Sequence, residues 1–141
     1  MAVLMMAVLS CGEDAGADPD GTMSKTMDSS NSSSRLIFGS AYVYLTSSSN
    51  LSTSSNCEIA YFGQVKGLGG IKIPQSGWNT SATASANTGY VVRLNDGTYA
   101  RIFVSTVTTG TYMARTCVTC QTYVQTIKYM ADVKYQYPFV P

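Results

Sequence analysis

The cysteines of this 141-residue chain are the residues whose spacing points most directly to chemistry. Cys117 and Cys120 enclose a Val-Thr pair, and this spacing occurs in thiol–disulfide enzymes and in zinc sites. A redox centre needs a helix beginning at the first cysteine to lower the thiol pKa, and no helical pattern follows here. A zinc site needs four ligands, and the chain has no histidine to supply one. We therefore expect a structural disulfide or inert thiols.

Two pairings are open for that disulfide. Residues three apart in an extended strand are separated by about 10 Å, so a bond between Cys117 and Cys120 requires a tight turn. The alternative joins Cys57 to one cysteine of the motif. With Cys11 set aside, one of these three cysteines stays unpaired in either arrangement.

The absence of histidine also excludes Ser-His-Asp and Cys-His catalysis and any histidine-ligated metal or haem. Glycoside hydrolysis requires two carboxyl groups about 5–9.5 Å apart. The predicted folded part offers Glu58, Asp96 and Asp132, and Asp96 belongs to a turn. Residues 67–70 (Gly-Leu-Gly-Gly) lack the Gly-Lys-Ser/Thr sequence of a phosphate-binding loop. These features predict a protein with no catalytic residue, metal or cofactor, which is therefore not an enzyme.

The best candidate for binding is a set of arginine and aromatic side chains predicted on one strand face. These residues are Arg93, Tyr99, Arg101 and Phe103, with Trp78 as a further aromatic contact. Arginine and aromatic residues are enriched at interaction hot spots, and aromatic rings can stack on sugar rings. We interpret the set as a ligand or partner patch. The alternative is that the arginines stack on the aromatic rings of a covered sheet face and that Trp78 fills the core.

A β-hairpin over residues 89–104 must position this patch. A two-residue turn at residues 96–97 would mix apolar and polar side chains on both faces. A three-residue loop, with Gly97 in the left-handed conformation, separates them. We predict this second register because a one-residue slip would invert every side chain. It gives the pairs Leu94–Thr98, Val92–Ala100 and Tyr90–Ile102.

The rest of the chain after residue 35 also predicts strands, with no sustained helical period. The clearest strand covers residues 121–137, where apolar and aromatic residues alternate with polar ones and a bulge would explain the length. Further strands are expected at residues 40–46, 58–65 and 70–73, with loops at 47–56 and 67–70. The pattern predicts an all-β fold, a small antiparallel sandwich or open barrel of six to eight strands.

The first ten residues are apolar and too few to span a bilayer, which takes about 20 residues. They fit the apolar region of a secretory signal, and the missing basic segment leads us to expect a natural start upstream of Met1. Val8-Leu9-Ser10-Cys11 resembles the lipobox of bacterial lipoproteins, in which the cysteine is acylated. The alternative is an ordinary signal peptide with a chance cysteine. We predict a signal segment at residues 1–10 and a lipid anchor on Cys11, through which the protein binds the membrane.

Residues 11–34 contain five of the eight acidic residues, among Gly, Ser and Thr with almost no aliphatic side chains. Such a segment cannot bury enough apolar surface to offset its chain entropy, so we predict a disordered, flexible tether followed by a β domain at residues 35–141. That domain carries eight basic and three acidic residues, a net charge of +5, whereas the whole chain carries +1. It has no block of Lys or Arg, which argues against nucleic acid as a partner.

Several short motifs occur together in this chain: Ile73-Pro74 before Gly77-Trp78, Gly89-Tyr90-Val91-Val92-Arg93, Thr98-Tyr99-Ala100-Arg101-Ile102 and Lys134-Tyr135-Gln136-Tyr137-Pro138-Phe139. With the lipobox-like Cys11 and the acidic tether, they resemble a family of small, uncharacterised lipoproteins from Bacteroides-type bacteria, known as a domain of unknown function. The resemblance covers residues 61–139 and implies a compact, mostly β domain on an outer-membrane lipoprotein. It implies no catalytic residues, and the Cys117/Cys120 pair is not part of the family pattern.

The leading hypothesis is a non-enzymatic, lipid-anchored module of the bacterial outer membrane, facing the periplasm or the surface, that binds a partner protein or a glycan. A second hypothesis is a fimbrial or accessory pilus subunit, because cleavage after Arg35 would free a strand for donation to a neighbour. A third is a thiol–disulfide protein that uses Cys117 and Cys120.

Overall fold

Ten strands and two short 3₁₀ helices are present in the structure, a computed structural model that describes residues 17–119 and 121–141. The strands are β1 (Met23–Asp28), β2 (Leu36–Phe38), β3 (Ala41–Leu45), β4 (Asn50–Thr53), β5 (Cys57–Gln64), β6 (Trp78–Asn79), β7 (Ser81–Thr83), β8 (Thr88–Leu94), β9 (Tyr99–Arg115) and β10 (Tyr123–Gln136). The 3₁₀ helices cover Ser32–Ser34 and Leu68–Gly70.

The strands form two antiparallel sheets. The larger sheet has the order β1–β10–β9–β8–β5–β6, and the smaller has the order β2–β3–β4–β7. Their inner faces share one core, so the predicted all-β, antiparallel sandwich is confirmed. The described residues form more strands than the six to eight predicted, because β1, β6 and β7 are too short or too polar to give an alternating pattern.

The β8–β9 hairpin has the predicted register. Tyr90 pairs with Ile102, and the Leu94 N–H donates to the Thr98 carbonyl at 2.9 Å. Gly97 has a φ of +89°, the left-handed conformation expected at the third loop residue. Glycine adopts this conformation without the steric cost that a Cβ would bring, so the loop sequence itself selects the register.

β9 and β10 extend beyond the rest of their sheet. β8 pairs with β9 only as far as Val104, and β1 pairs with β10 only from Met130 onward. Residues 109–115 and 123–129, which we call the arm, therefore form a two-stranded ribbon. The predicted strand at residues 121–137 is confirmed as β10, and the bulge lies opposite it in β9, at Ser105.

The main core lies between the two sheets, and the hydroxyl of a buried tyrosine links the sheets by hydrogen bonds. Its fully buried members come from both sheets and include Met27, Phe38, Val43, Leu51, Ile59, Tyr90 and Ile102. The Tyr90 hydroxyl donates to the Thr83 carbonyl and accepts from the Ser85 N–H at 3.0 Å, which links β8 of one sheet to the end of β7 in the other. Burial raises the pKa of the Tyr90 phenol above its ordinary value, so the hydroxyl keeps its proton for this bond.

A second apolar cluster covers the outer face of the larger sheet. The connection between β5 and β6 places Leu68 and Ile71, both fully buried, against Val91 and Phe103. Gly89 permits this close approach, because a Cβ at that position would lie 2.6 Å from Ile71 Cγ1. The central part of β8 is consequently buried on both of its faces.

Two predictions of local structure are wrong. The strand expected at residues 70–73 does not form, because this segment lies over the sheet as a cover that includes the Leu68–Gly70 helix. The loop expected at residues 47–56 contains β4, whose Leu51 is fully buried in the main core. One apolar residue among serines and asparagines produces no alternation, so periodicity alone does not reveal β4.

The folded domain begins before the predicted boundary at residue 35. β1 is a strand of 6 residues paired with β10, and its Met27 is fully buried in the main core. Lys134 Nζ donates to Asp18 at 2.6 Å, and Lys128 Nζ donates to Asp28 at 2.8 Å. The flexible-tether prediction is therefore wrong for residues 17–34. Asp18 and Asp28 are two of the acidic residues on which the tether prediction was based, and both form ion pairs with lysines of β10. These pairs partly offset the predicted contrast between an acidic tether and a basic domain.

Candidate ligand-binding site

The predicted patch on the β8–β9 hairpin does not form one exposed surface. Arg101 and Phe103 are 2% and 6% exposed, so their assignment to a ligand or partner patch is wrong. Arg101 donates to Gln136 Oε1 at 2.8 Å and to the Ile71 carbonyl at 3.1 Å, and its Cζ lies 4.2 Å from the centroid of the Phe139 ring. The β5–β6 connection and the C-terminal residues cover this face of the hairpin.

The other three patch residues lie together at the edge of that cover. Arg93 Cζ lies 4.3 Å from the centroid of the Trp78 ring, and the Trp78 and Tyr99 rings are 6.4 Å apart. Arg93 also donates to Glu58 at 2.6 Å. Both aromatic side chains are half-buried against the second cluster. This arrangement matches the alternative in which the arginines stack on aromatic rings of a covered face.

The three carboxylates considered for catalysis each hold a structural contact. Glu58 forms the ion pair with Arg93. Asp96 accepts from the Thr98 hydroxyl at 2.6 Å and the Thr98 N–H at 2.9 Å, and these hydrogen bonds lower the pKa of its exposed carboxyl. Asp132 accepts from threonines of the two neighbouring strands at 2.7 and 3.1 Å. These contacts account for the positions of all three side chains.

The cysteines differ in their redox state. Cys117 is disulfide-bonded and lies in the connection at the tip of the arm. Cys57 is a free thiol buried in the main core, with its sulfur 3.8 Å from the Tyr42 carbonyl oxygen. The pairing of Cys57 with the motif is therefore wrong, because the core holds Cys57 away from the arm. Cys120 and the predicted lipidation site Cys11 lie outside the described residues.

The predicted signal segment at residues 1–10 also lies outside the described residues, as do residues 11–16 of the predicted tether. Within residues 17–119 and 121–141, no helix has the length and apolar character needed to cross a membrane. That same part of the chain contains no cluster of three or more side chains suited to holding a metal ion.

A concave site opens where the end of β1 meets the outer face of the smaller sheet. Its volume is about 400 Å³, and it is lined by residues 28–32, Arg35, Tyr42, Tyr44 and Leu45. Small-molecule sites commonly occupy about 300–1,000 Å³. We call this cavity the β1–β3 site.

Local hydrogen bonds form one wall of the β1–β3 site. Asn31 Oδ1 accepts from the Ser33 N–H at 3.0 Å and thereby starts the Ser32–Ser34 helix. The buried Ser34 hydroxyl accepts from the Asp28 N–H at 2.8 Å and donates to the Asn31 carbonyl at 2.7 Å. These bonds fold the turn after β1 back toward β3.

Two tyrosines of β3 and one arginine form the opposite side. Tyr42 and Tyr44 alternate with the buried Val43, so both rings lie on the outer face of the smaller sheet. Their centroids are 6.1 Å apart with an interplanar angle of 45°. Arg35 Cζ lies 4.4 Å from the centroid of the Tyr42 ring, and its guanidinium forms no hydrogen bond or ion pair with another described residue.

Asp28 is the one acidic side chain among the described lining residues. Lys128 Nζ donates to its Oδ2 at 2.8 Å, and the Ser30 N–H and hydroxyl donate to its Oδ1 at 2.8 and 2.6 Å. Burial opposes ionisation of Asp28, but these hydrogen bonds outweigh it and hold the pKa of the carboxyl below its ordinary value. The carboxylate is thus ionised at neutral pH and its charge is balanced by Lys128.

Other polar groups of the β1–β3 site make no hydrogen bond to any described residue. They are the Asn31 side-chain nitrogen and the hydroxyls of Ser32, Tyr42 and Tyr44. Tyr44 is 40% exposed, so part of its side chain is accessible from solvent. The site can therefore offer a ligand an aromatic face together with several hydrogen-bond donors and acceptors.

The sequence predictions did not include this site, for a reason that lies in the fold. Residues 28–32 belong to the segment predicted to be a tether, and the pairing of β1 with β10 brings them beside β3. The available signal was the alternation in β3, where Tyr42 and Tyr44 occupy the positions between buried aliphatic residues.

Comparisons of the chain with family models, with curated proteins and with solved structures found no match. The resemblance to a lipoprotein family therefore stays a prediction, and the β1–β3 site provides the basis for proposing a function.

Proposed function

We propose that this protein is a non-enzymatic, lipid-anchored β-module of the bacterial outer membrane that binds a glycan. The supporting observation is the β1–β3 site, in which two tyrosine rings lie beside hydrogen-bonding groups that have no partner among the described residues. The anchor is the acylated Cys11 expected from the sequence.

The chemistry of the site suits a sugar better than a protein surface. A sugar ring has apolar C–H faces and a rim of hydroxyl groups, which match an aromatic face surrounded by donors and acceptors. The core of a protein–protein interface is usually depleted of such polar groups and dominated by apolar side chains. Because the cavity is open to solvent, one end of a glycan can occupy it while the rest of the chain extends outward.

A glycan array provides the direct test. We expect the wild-type protein to bind a subset of printed oligosaccharides. Tyr44→Ala should weaken that binding about two- to tenfold, because one aromatic contact contributes about 0.5–1.5 kcal/mol and 1.4 kcal/mol corresponds to a factor of ten.

The matched control is Tyr61→Ala. Tyr61 lies on β5 of the other sheet and is 57% exposed, so its loss removes an accessible tyrosine without touching the β1–β3 site. Unchanged binding by this variant is the expected result. A protein that binds no printed glycan, or an equal loss in both variants, would contradict the proposal.

Strand donation is a second candidate, favoured by the position of β1. This strand comes from the segment before Arg35 and forms the outer strand of the larger sheet, so cleavage after Arg35 would uncover the edge of β10. Mass spectrometry of the native N-terminal peptide separates the two candidates. An acylated Cys11 is expected for the anchored module, whereas a chain that starts at Leu36 would instead indicate a strand-exchanging subunit.

A further inference from the structure

Four arginines of the described chain stack on aromatic rings, and one of them differs from the others. Arg93 is paired with Glu58, Arg101 with Gln136 and the Ile71 carbonyl, and Arg115 with the Tyr123 hydroxyl and the Val118 carbonyl. Arg35 stacks on Tyr42 but has no hydrogen-bond or ion-pair partner for its guanidinium among the described residues.

Stacking therefore fixes Arg35 at the β1–β3 site while leaving its donors open. A guanidinium presents five N–H groups in a planar fork that matches the two oxygens of a carboxylate. Because Tyr42 already holds the side chain in place, less conformational entropy is lost when the fork binds an anion.

The charges around the site also favour an anion. Among the described residues, Arg35 lines the site, Lys128 Nζ donates to the lining residue Asp28, and Lys25 Nζ donates to the Arg35 carbonyl at 2.8 Å. Asp28, the one acidic lining residue in the part of the chain that the structure describes, is already compensated by Lys128. Arg35 is thus the one charged group without a compensating partner among the described lining residues, and it leaves an excess of positive charge where the ligand would bind.

We infer that the glycan bound at the β1–β3 site is acidic and that the Arg35 guanidinium binds its carboxylate. This inference rests on the proposed function and adds the chemical class of the ligand to it. Tyr44 would contact the face of the same sugar residue. The hydroxyls of Ser32 and Tyr42 would form hydrogen bonds with the hydroxyl groups of that sugar.

The test is an array on which oligosaccharides bearing uronate or sialate residues are printed beside their carboxyl-reduced, neutral forms. We expect the wild-type protein to bind acidic members at least about tenfold more tightly than their reduced partners, since hydrogen bonds to an ionised carboxylate are about twice as strong as those between neutral groups. Arg35→Gln should abolish the difference, and Arg35→Lys should restore only part of it, because a lysine keeps the charge without the planar fork.

Arg93→Gln is the matched control, because Arg93 also stacks on an aromatic ring but is paired with Glu58 on the opposite side of the sandwich. It should bind as the wild type does, and circular dichroism should show that all variants are folded. Binding to neutral glycans alone, or acid-selective binding that survives Arg35→Gln, would overturn the inference while leaving glycan binding intact. No binding to any glycan would overturn both.

Discussion

Replacing Met27 by alanine is expected to lower the free energy of unfolding by about 2–5 kcal/mol, the usual cost of truncating a buried methionine. Met27 has 0% exposure and contributes β1 to the main core. Urea denaturation followed by circular dichroism measures the change as a lower midpoint with an unchanged slope. The slope should be unchanged because the variant loses packing and not a folded segment.

Met23→Ala provides the internal control for this experiment. Met23 lies at the other end of the same strand and is 43% exposed, so its truncation should change the stability by no more than about 0.5 kcal/mol. If both variants were as stable as the wild type, β1 would not belong to the folded domain and a flexible tether would describe this segment better.

Arg101→Ala is expected to destabilise the domain by about 3 kcal/mol, because each buried acceptor left without a donor costs about 1–3 kcal/mol. The variant removes the donors of Gln136 Oε1 and the Ile71 carbonyl and uncovers one face of the Phe139 ring. Arg101 therefore holds the cover of the larger sheet in place, and thermal unfolding should occur at a clearly lower temperature in the variant.

The comparison with Arg93→Ala distinguishes a buried arginine from an exposed one on the same sheet face. The side chains of the Arg93–Glu58 pair are 40% and 45% exposed, and exposed ion pairs contribute about 0–1 kcal/mol. We expect a small loss in Arg93→Ala. Equal and small losses in both variants would instead place Arg101 at the surface, as the sequence-based patch assumed.

Local patterns predicted the parts of the fold that depend on near neighbours. The β8–β9 register follows from the Gly97 turn and from alternation on either side of it, and β10 follows from its own long alternation. Both signals are contained within a short stretch of chain, where turn geometry and the side-chain period of two leave few alternatives.

The wrong predictions concern contacts that are remote in sequence. Nothing near Arg101 signals that the β5–β6 connection will lie over it, so an apparently exposed face is buried. The sequence around Asp28 gives no sign of its ion pair with Lys128 of β10. The segment pairs with β10 although its polar composition is that of a flexible tether. The β1–β3 site depends on that same remote pairing, which explains why composition did not reveal it.

The pairing of β1 with β10 also determines when the domain can finish folding. Thr26 and Asp132 hydrogen-bond across these strands although they are 106 residues apart. Closing a loop of that length costs chain entropy before any contact compensates it, and β proteins dominated by such contacts fold in about milliseconds to seconds. During synthesis, β1 emerges before the other strands. It can pair with β10 only after nearly the whole chain has been made. The earliest strand of the domain therefore cannot complete the edge of the larger sheet until β10 has been synthesised.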